Sequence, residues 1–364
     1  MINQKRLIKT FIELVKIDSP SGEEDNMASE MRKRLKNLGG KVETDSFGNV
    51  IAKFPGIGSP LLLNAHMDTV EPGQGIKPKV GKGKITTDGT TILGGDDKAG
   101  LAIILEALTT VKEQKLKHLP LEIVLTRGEE SGLEGAINLD YSKINAKKGI
   151  SFDGHGPVSN ITVAAPGYNR VDVTIIGRSA HAGVEPEKGI SAIEIASKII
   201  SELKLGRIDN ETTANVGLIE GGSARNAVAE RAHFKGEVRS RDLDKLEAHT
   251  AHFRKVFEKF DEQYEEAVLE IDIAKEFEPY SFSESHPMIQ QIIKVCSSLK
   301  IKPSLEPTGG GADVNIFNAH GLEVVCVGTG DMELHTKREY LVIKDFIEAA
   351  NFALELIKSS RFTR

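Results

Sequence analysis

The chain opens with apolar residues at helical spacing. Two stripes occur there, one formed by Leu7, Phe11, Leu14 and Val15 and the other by Met27, Met31, Leu35 and Leu38. A period near 3.6 residues predicts two amphipathic helices. Ser21 and Glu24 have the spacing of a capping box, in which each side chain accepts a hydrogen bond from the other residue's backbone, so the second helix is predicted to begin beside them.

Short, continuously apolar runs come next, separated by helical patterns such as that of residues 101–108. The runs are at residues 61–63, 121–125, 150–152 and 324–327. Strands without polar alternation are typical of a parallel sheet that is buried on both faces. We therefore predict an α/β fold with a mostly parallel sheet and helices on both of its faces.

The pattern changes after Pro166. Residues 171–175 alternate with a period of two, residues 216–219, 232–238 and 268–273 also have the composition of strands, and helical segments at 190–203 and 243–260 separate them. This pattern predicts a second, α+β domain at residues 167–277. The first domain is then formed by residues 1–166 and 278–364, so the second is inserted into it and can act as a lid.

Composition limits the function. A chain of 364 residues, 39% hydrophobic and 27% charged, is typical of a globular protein of two domains. The net charge of -6, without a basic stripe, argues against a nucleic-acid partner. No run approaches the roughly 20 apolar residues that cross a bilayer, and the first residues lack a signal-peptide pattern. Cys296 and Cys326 have neither disulfide nor metal spacing. We expect a cytoplasmic protein that acts on a small molecule and has no membrane partner.

Residues with metal-binding chemistry follow several of the predicted strands and glycine-rich turns. They are His66, Asp68, Asp96, Asp97, Glu129, Glu130, Asp153 and His335. Because the carboxyl ends of parallel strands meet at one edge of a sheet, we expect these side chains to share one crevice. Such imidazole and carboxylate ligands suit two adjacent zinc ions. Asp68 lies within reach of the second ring nitrogen of His66, where a carboxylate fixes the tautomer. One of the neighbouring glutamates can bind metal while the other acts as general base.

Each motif taken alone also has a purely structural explanation. A histidine can be satisfied at a strand end, two aspartates can cap a helix, and paired glutamates can lie in a solvated turn. Their coincidence at strand ends favours the metal site. His155 and His233 are given no role by their surroundings. The polar or helical surroundings of five other histidines are typical of structural residues; these are His118, His249, His252, His286 and His320.

Several separated segments carry a resemblance to a known family. They include Asn64–Val70, Gly89–Gly100 and Gly128–Ala136, with Ser179–Gly183 in the inserted domain. In order and spacing they resemble the peptidase T-like aminopeptidases, of the co-catalytic zinc peptidase family that also includes carboxypeptidase G, succinyl-diaminopimelate desuccinylase and acetylornithine deacetylase. The resemblance covers nearly the whole chain. It implies a zinc-peptidase catalytic domain with an inserted lid or dimerisation domain, and a cis peptide bond between Asp96 and Asp97.

The resemblance also implies roles for individual residues. One zinc ion would be held by His66, Asp96 and Asp153, and the other by Asp96, Glu130 and His335, with Asp96 bridging. Glu129 would be the general base, and His181 would stabilise the oxyanion, supplied by the same chain or by the partner of a homodimer formed through the lid. Asn226, Arg239, Gly310 and Gly311 would contact the carboxylate end of the peptide. Cobalt and manganese suit the same ligand types as zinc.

The chain departs from peptidase T at one position. Peptidase T has an arginine immediately before its paired glycines, whereas this chain has Gly309, which argues against strict tripeptide specificity. The predicted function is a metal-dependent aminopeptidase that hydrolyses the N-terminal peptide bond of short peptides. The alternatives are an N-acyl amino-acid amidohydrolase or carboxypeptidase-like hydrolase of the same family, and a catalytically inactive metal-binding module. Retention of Glu129 and all five ligand positions argues against the inactive module.

Overall fold

The computed structural model describes residues 1–358. Its helices are α1 Gln4–Val15, α2 Asp25–Leu38, α3 Gly95–Gln114, α4 Glu134–Ile137, α5 Ala192–Glu202, α6 Leu243–Gln263, α7 Pro287–Ser298, α8 Asp313–Ala319 and α9 Ile343–Lys358. Its strands are β1 Lys41–Thr44, β2 Val50–Phe54, β3 Leu61–His66, β4 Lys79–Gly81, β5 Lys84–Thr86, β6 Leu121–Thr126, β7 Lys148–Gly154, β8 Asn160–Ala165, β9 Gly167–Ile176, β10 Gly206–Arg207, β11 Thr212–Gly221, β12 Arg231–Ser240, β13 Val268–Phe277, β14 Tyr280–Ser281, β15 Ser304–Pro307, β16 Glu323–Gly328, β17 Asp331–Met332 and β18 Tyr340–Val342.

The chain divides into two compact units. The first comprises residues 1–163, 282–308 and 312 onward, and the second comprises residues 164–281 and 309–311. The fold is therefore mixed α/β with an inserted α+β domain, as the fold-class prediction stated. Among residues 1–358, no helix has both the length and the apolarity needed to cross a membrane.

A large mixed sheet forms the centre of the first unit. Its strands follow the order β1-β2-β6-β3-β7-β16-β8. The four central strands, β6, β3, β7 and β16, are parallel. Beyond them, β2 pairs antiparallel with β6, β1 pairs antiparallel with β2, and β8 pairs antiparallel with β16. Every residue of β3 and β6 is buried, which explains their continuous apolar sequences. The four predicted strands are thus confirmed, and the parallel pairing is confined to the centre of the sheet.

Helix α3 lies deep in this core. Fifteen of its 20 residues are buried, so it has no polar face, and it packs against β3, α1 and α9. Phe11 of α1 meets Phe346 of α9 edge to face at 5.5 Å between ring centroids. The predicted stripe on α1 is confirmed, because Leu7, Phe11, Leu14 and Val15 are all fully buried.

The capping box predicted at Ser21 is wrong. Glu24 itself precedes α2, and no side chain caps that helix. The hydroxyl of Ser21 instead donates to Asp68 Oδ2 at 2.7 Å. Glu24 accepts from the backbone N–H of Gly22 at 2.9 Å and of Gly128 at 3.1 Å. Both side chains therefore hold distant parts of the chain rather than the first turn of their own helix.

The second unit is a five-stranded antiparallel sheet with two helices. The strand order is β10-β11-β12-β9-β13. Strand β9 alternates buried and half-buried residues along its whole length, and its buried face packs with Phe234 and with Phe253 and Phe257 of α6. The predicted strands and both predicted helices of this region are confirmed.

Candidate active site

Adjacent parallel strands deliver four of the site residues to one edge of the sheet. His66 is the last residue of β3, Glu129 and Glu130 follow the end of neighbouring β6, and Asp153 lies near the end of β7 on the other side. His66 Nε2 lies 2.8 Å from Asp96 Oδ1 and 3.5 Å from Asp153 Oδ1. The expected convergence at the carboxyl ends of the strands is present.

Asp96 enters this cluster from a distorted start of α3. Gly94 has a left-handed φ of 70°, the peptide bond between Asp96 and Asp97 is cis, and neither aspartate has helical backbone angles. The cis bond was implied by the family resemblance and is confirmed. Asp97 is buried and holds the turn against β3, because its carboxylate accepts from the backbone N–H of His66 at 3.1 Å and of Gly100 at 3.0 Å.

A hairpin carries the second histidine. His335 lies in the loop between β17 and β18, whose strands belong to a small sheet of order β17-β18-β5-β4. Its backbone is left-handed, with a φ of 59°. Its Nε2 lies 2.9 Å from Glu130 Oε1 and 3.2 Å from Asp96 Oδ2. His335 is about half exposed, with a side-chain exposure of 52%, whereas His66 is buried at 1%.

The cluster carries more negative than positive charge. Six carboxyl groups surround the two imidazoles, namely Asp68, Asp96, Asp97, Glu129, Glu130 and Asp153. Burial raises the pKa of Glu129 and Glu130 above the usual range and raises the pKa of Asp153 to about 7. Burial also opposes ionisation of Asp96, but hydrogen bonds from His335 and His66 hold its pKa below the usual range. Hydrogen bonds from His335 to Asp96 and to Glu130 raise the pKa of His335 to about 10.

These residues fit divalent metal ions. Three groups of ligand atoms lie within 4.8 Å of one another: His66, Asp96 and Asp153; His66, Glu129 and Glu130; and Asp96, Glu130 and His335. Donor atoms bonded to one tetrahedral zinc at about 2.0–2.2 Å are separated by about 3.3–3.6 Å. The imidazole-to-carboxylate separations of 2.8–3.5 Å are close to that spacing. Glu130 Oε1 has His335 Nε2 as its neighbour at 2.9 Å, and His66 Nδ1 has Asp68 Oδ1 at 3.3 Å, so the two imidazoles are surrounded by carboxylates whose excess bound cations would compensate.

Asp68 supports the cluster from behind. Its Oδ1 lies 3.3 Å from His66 Nδ1 and accepts from the backbone N–H of Glu129 at 3.0 Å. Its Oδ2 accepts from the backbone N–H of Glu130 at 3.1 Å and from Ser21. One buried carboxylate therefore orients the imidazole and also holds the turn that carries both glutamates.

The other sequence-based candidates lie in the second unit. His181 is exposed, and its Nδ1 accepts from the backbone N–H of Gly183 at 3.2 Å. Arg239 forms two hydrogen bonds with Glu237, at 3.0 and 3.1 Å, and its guanidinium lies 4.7 Å from the ring centre of Tyr168. The carbonyl of Asn226 accepts from Ala182 at 3.0 Å. Gly310 and Gly311 belong to the same unit.

The two unassigned histidines lie outside the cluster of ligands. His155 is exposed just after β7, and His233 on β12 lies 4.0 Å from Glu220.

Sequence reasoning missed two buried carboxylates near this cluster. Asp313, at the start of α8, accepts a hydrogen bond from Thr126 Oγ1 and keeps Oδ1 buried without a hydrogen-bond partner. Burial raises the pKa of Asp313 to about 6. Glu339, on the hairpin beyond His335, accepts from the backbone of the Asp96 turn. Their partners lie 187 and more than 240 residues away, so no local pattern could have identified them.

Comparison with known proteins decides the family. Residues 163–265 match the peptidase dimerisation domain of the M20 family, and residues 49–179 match peptidase family M28. The uncharacterized protein YqjE of Bacillus subtilis is 40% identical over 99% of this chain and 100% of its own length. The structure of the aminopeptidase PepT from Bacillus cereus is 37% identical, with a TM-score of 0.92 and complete coverage of both chains. A tripeptidase from Staphylococcus aureus is 36% identical, with a TM-score of 0.95 over 99% of each chain.

The chain belongs to the peptidase T-like M20 family. As a member of this M20 family, it is a metallopeptidase of the exopeptidase class, and the resemblance found in the sequence is confirmed. Family membership also accounts for the two units, since the peptidase dimerisation match begins at residue 163, one residue before the start of the second unit. The M20 family further implies divalent metal ions, which agrees with the excess of carboxylates around His66 and His335.

Proposed function

We propose that this protein is a dizinc aminopeptidase that hydrolyses the N-terminal peptide bond of short peptides. The observation that carries the proposal is the placement of Asp96 between two histidines. Its Oδ1 faces His66 Nε2 at 2.8 Å and its Oδ2 faces His335 Nε2 at 3.2 Å. A carboxylate that bridges two metal ions must offer one oxygen to each, and the two oxygens of Asp96 meet this requirement because each faces a different histidine.

The proposed ligand sets share Asp96. His66, Asp96 and Asp153 would hold one ion, and Asp96, Glu130 and His335 would hold the other. Zinc suits this mixture of imidazole and carboxylate donors, and cobalt or manganese can take its place. When bound, two such ions supply Lewis-acid polarisation of the substrate carbonyl and acidify the attacking water.

Glu129 is the proposed general base. Its backbone N–H is fixed by Asp68, and burial raises the pKa of its carboxyl group. A carboxylate with a raised pKa takes a proton from water more readily and can return it to the departing amine. Glu130, the adjacent residue, is then left to act as a ligand through Oε1, which is 2.9 Å from His335 Nε2.

The inserted unit is proposed to supply the remaining contacts. His181 would donate to the oxyanion, either in its own chain or in a partner subunit. Arg239, Asn226, Gly310 and Gly311 would bind the carboxylate end of the peptide. Arg239 is suited to this because Glu237 and Tyr168 already fix its guanidinium group. Gly309 leaves one clamp absent, so dipeptides and longer peptides are proposed substrates beside tripeptides.

A homodimer through the inserted unit is also part of the proposal. Strand β10 pairs with β11 only at Thr213 and Ala214, which leaves the later part of β11 at the edge of the sheet. Ile219 on that edge is 53% exposed, and Ile193 on α5 is 43% exposed. An edge strand with exposed apolar side chains is a surface for pairing with a second copy.

We place the enzyme in the cytoplasm.

Metal analysis and a peptide panel test the proposal together. We expect two equivalents of metal per chain and hydrolysis of short peptides with free N-termini, with little activity on N-acetylated peptides or acylated amino acids. Cleavage at the carboxyl end, or preference for acylated amino acids, would contradict the aminopeptidase assignment.

The variant Glu129→Gln tests the general base. It should lower kcat by about 100-fold or more, because proton transfer of this kind contributes about 10²–10⁴-fold, while metal content stays unchanged. Glu134→Gln is the matched control, since Glu134 is an exposed carboxylate five residues along the same segment. Intact turnover of Glu129→Gln with two bound metals would show that another group is the base.

A further inference from the structure

One carboxylate outside the proposed ligand set holds the backbone of the Asp96 turn. Glu339 is only 2% exposed and accepts hydrogen bonds from four consecutive backbone N–H groups. Its Oε2 accepts from Leu93 at 2.7 Å and from Gly94 at 3.0 Å. Its Oε1 accepts from Gly95 at 2.7 Å and from Asp96 at 3.3 Å.

The turn needs such an acceptor. The first N–H groups of a helix have no partner within the helix. Gly94 occupies the cap position of α3 and has no side chain to offer, and Asp96 and Asp97 depart from helical geometry. A negative charge at this end also complements the helix dipole. Glu339 therefore satisfies the backbone N–H groups of the turn that precedes the regular part of α3, from a position 244 residues after Gly95.

Gly95 leaves the space that this contact requires. A Cβ atom added there would lie 2.2 Å from Asp331 Oδ1 and 3.0 Å from Glu339 Oε1. Any larger residue would force Asp331 to shift and would crowd the Glu339 carboxylate. The close approach thus depends on both sides of the contact, namely a glycine in the turn and a buried glutamate opposite.

The same side chain joins two proposed ligand segments. Glu339 lies four residues beyond His335, and its own backbone N–H donates to Thr336 in the hairpin loop. Its carboxylate accepts a hydrogen bond from the backbone N–H of Asp96. We propose that Glu339 is a positioning residue that sets Asp96 relative to His335 and so shapes the metal position of Asp96, Glu130 and His335. This inference rests on the proposed two-metal function.

Glu339→Gln separates this role from simple burial. A glutamine side chain offers one acceptor oxygen, and its NH₂ group would face two of the four backbone N–H donors. Half of the anchoring is then lost while the volume is nearly unchanged. Partners of this kind, which orient metal ligands from behind, typically change metal affinity by about 10- to 100-fold.

The test is a cobalt titration of the metal-free, full-length protein, followed by visible absorption. We expect the wild type to bind two cobalt ions. Glu339→Gln should bind one of them about 10- to 100-fold more weakly, with an altered spectrum for that ion. Steady-state kinetics at saturating metal should show a lower kcat with KM nearly unchanged, because Glu339 is not one of the proposed substrate contacts.

Glu106→Gln is the matched control. Glu106 is also 2% exposed, and it accepts from the backbone N–H of Asn3 at 2.7 Å and from Arg6 and Thr110, within the same unit. Its replacement should lower the melting temperature and leave both cobalt affinities and the spectrum unchanged.

The outcomes are distinct. A folded Glu339→Gln protein with both wild-type cobalt affinities and the wild-type spectrum overturns the inference. If that variant does not fold, Glu339→Asp decides the matter, because it keeps the charge but withdraws it by one methylene group. Weakened binding of one cobalt ion then supports the inference, and wild-type binding overturns it. A wild-type protein that binds fewer than two cobalt ions contradicts the proposed function itself.

Discussion

Asp68→Asn tests how far one buried carboxylate organises the site. The substitution keeps the shape of the side chain but replaces one acceptor oxygen with an NH₂ group. Oδ1 serves the backbone N–H of Glu129 and faces His66 Nδ1, and Oδ2 serves the backbone N–H of Glu130 and Ser21. In either orientation of the amide, its NH₂ group meets a backbone N–H that needs an acceptor.

The expected cost follows from those contacts. One charge-assisted hydrogen bond is lost, at about 1.5–3 kcal/mol, and one buried donor is left without a partner, at about 1–3 kcal/mol. The free energy of unfolding should therefore fall by roughly 2.5–6 kcal/mol. If the NH₂ group faces His66, Nδ1 must become an acceptor, and the ring proton moves to Nε2, the proposed ligand atom. Activity should then fall by about 10- to 100-fold or more, together with metal affinity.

Urea denaturation, kcat on a tripeptide and metal content measure these effects. Asp45→Asn is the matched control, because Asp45 is a buried carboxylate that accepts four backbone N–H bonds, from Phe47, Gly48, Asn49 and Asp140. The control should also lose stability, yet keep its metal and its kcat. Wild-type kcat and metal content in Asp68→Asn would refute the reasoning, whatever its stability.

Three further predictions concern the metal, a helix contact and a close packing point. Chelation by EDTA should abolish activity and lower the melting temperature, because a ligand at about 1,000 times its Kd stabilises the folded state by about 4 kcal/mol. Added zinc should restore both. Activity that survives complete metal removal would contradict the metallopeptidase mechanism. Glu106→Ala should lower the free energy of unfolding, measured in urea, because it breaks the ion pair with Arg6. A broken buried pair typically costs about 3–5 kcal/mol, and the loss should lie near the lower end because Arg6 is 27% exposed. Activity per folded molecule should persist. Gly100→Ala should lower the free energy of unfolding, measured by thermal denaturation, by about 1–3 kcal/mol or more, because the added Cβ would lie 2.3 Å from the carbonyl oxygen of Phe152. Gly81→Ala is the control and should cost less, because its Cβ meets no atom within 4 Å.

The central strands were the most predictable part of the fold. β3 and β6 are buried on both faces, so their sequences are apolar throughout and stand out from their surroundings. Strand β1 was not predicted, because none of its four residues is buried and the sequence Lys41–Thr44 carries no apolar pattern. This edge strand therefore had no signal comparable to that of the parallel centre of the sheet.

The candidate site divides in the same way. His66, Glu130 and Asp153 could be brought together in advance because strand ends of a parallel sheet share one edge. Ser21 and Glu24 were misassigned because their spacing fits a local cap, while their partners are Asp68 and the backbone of Gly128, far away in the chain. Spacing along the sequence predicts neighbours on one element, and it is silent about side chains that bind distant backbone.

The order of strands has a consequence for synthesis of the protein. Strand β16, which ends at Gly328, lies between β7 and β8, although both of those strands are made before residue 166. During translation the emerging sheet therefore lacks an interior member until the whole inserted unit has left the ribosome. Over that interval the facing edges of β7 and β8 have no partner strand, which makes the nascent chain prone to mispairing and a natural client for chaperones.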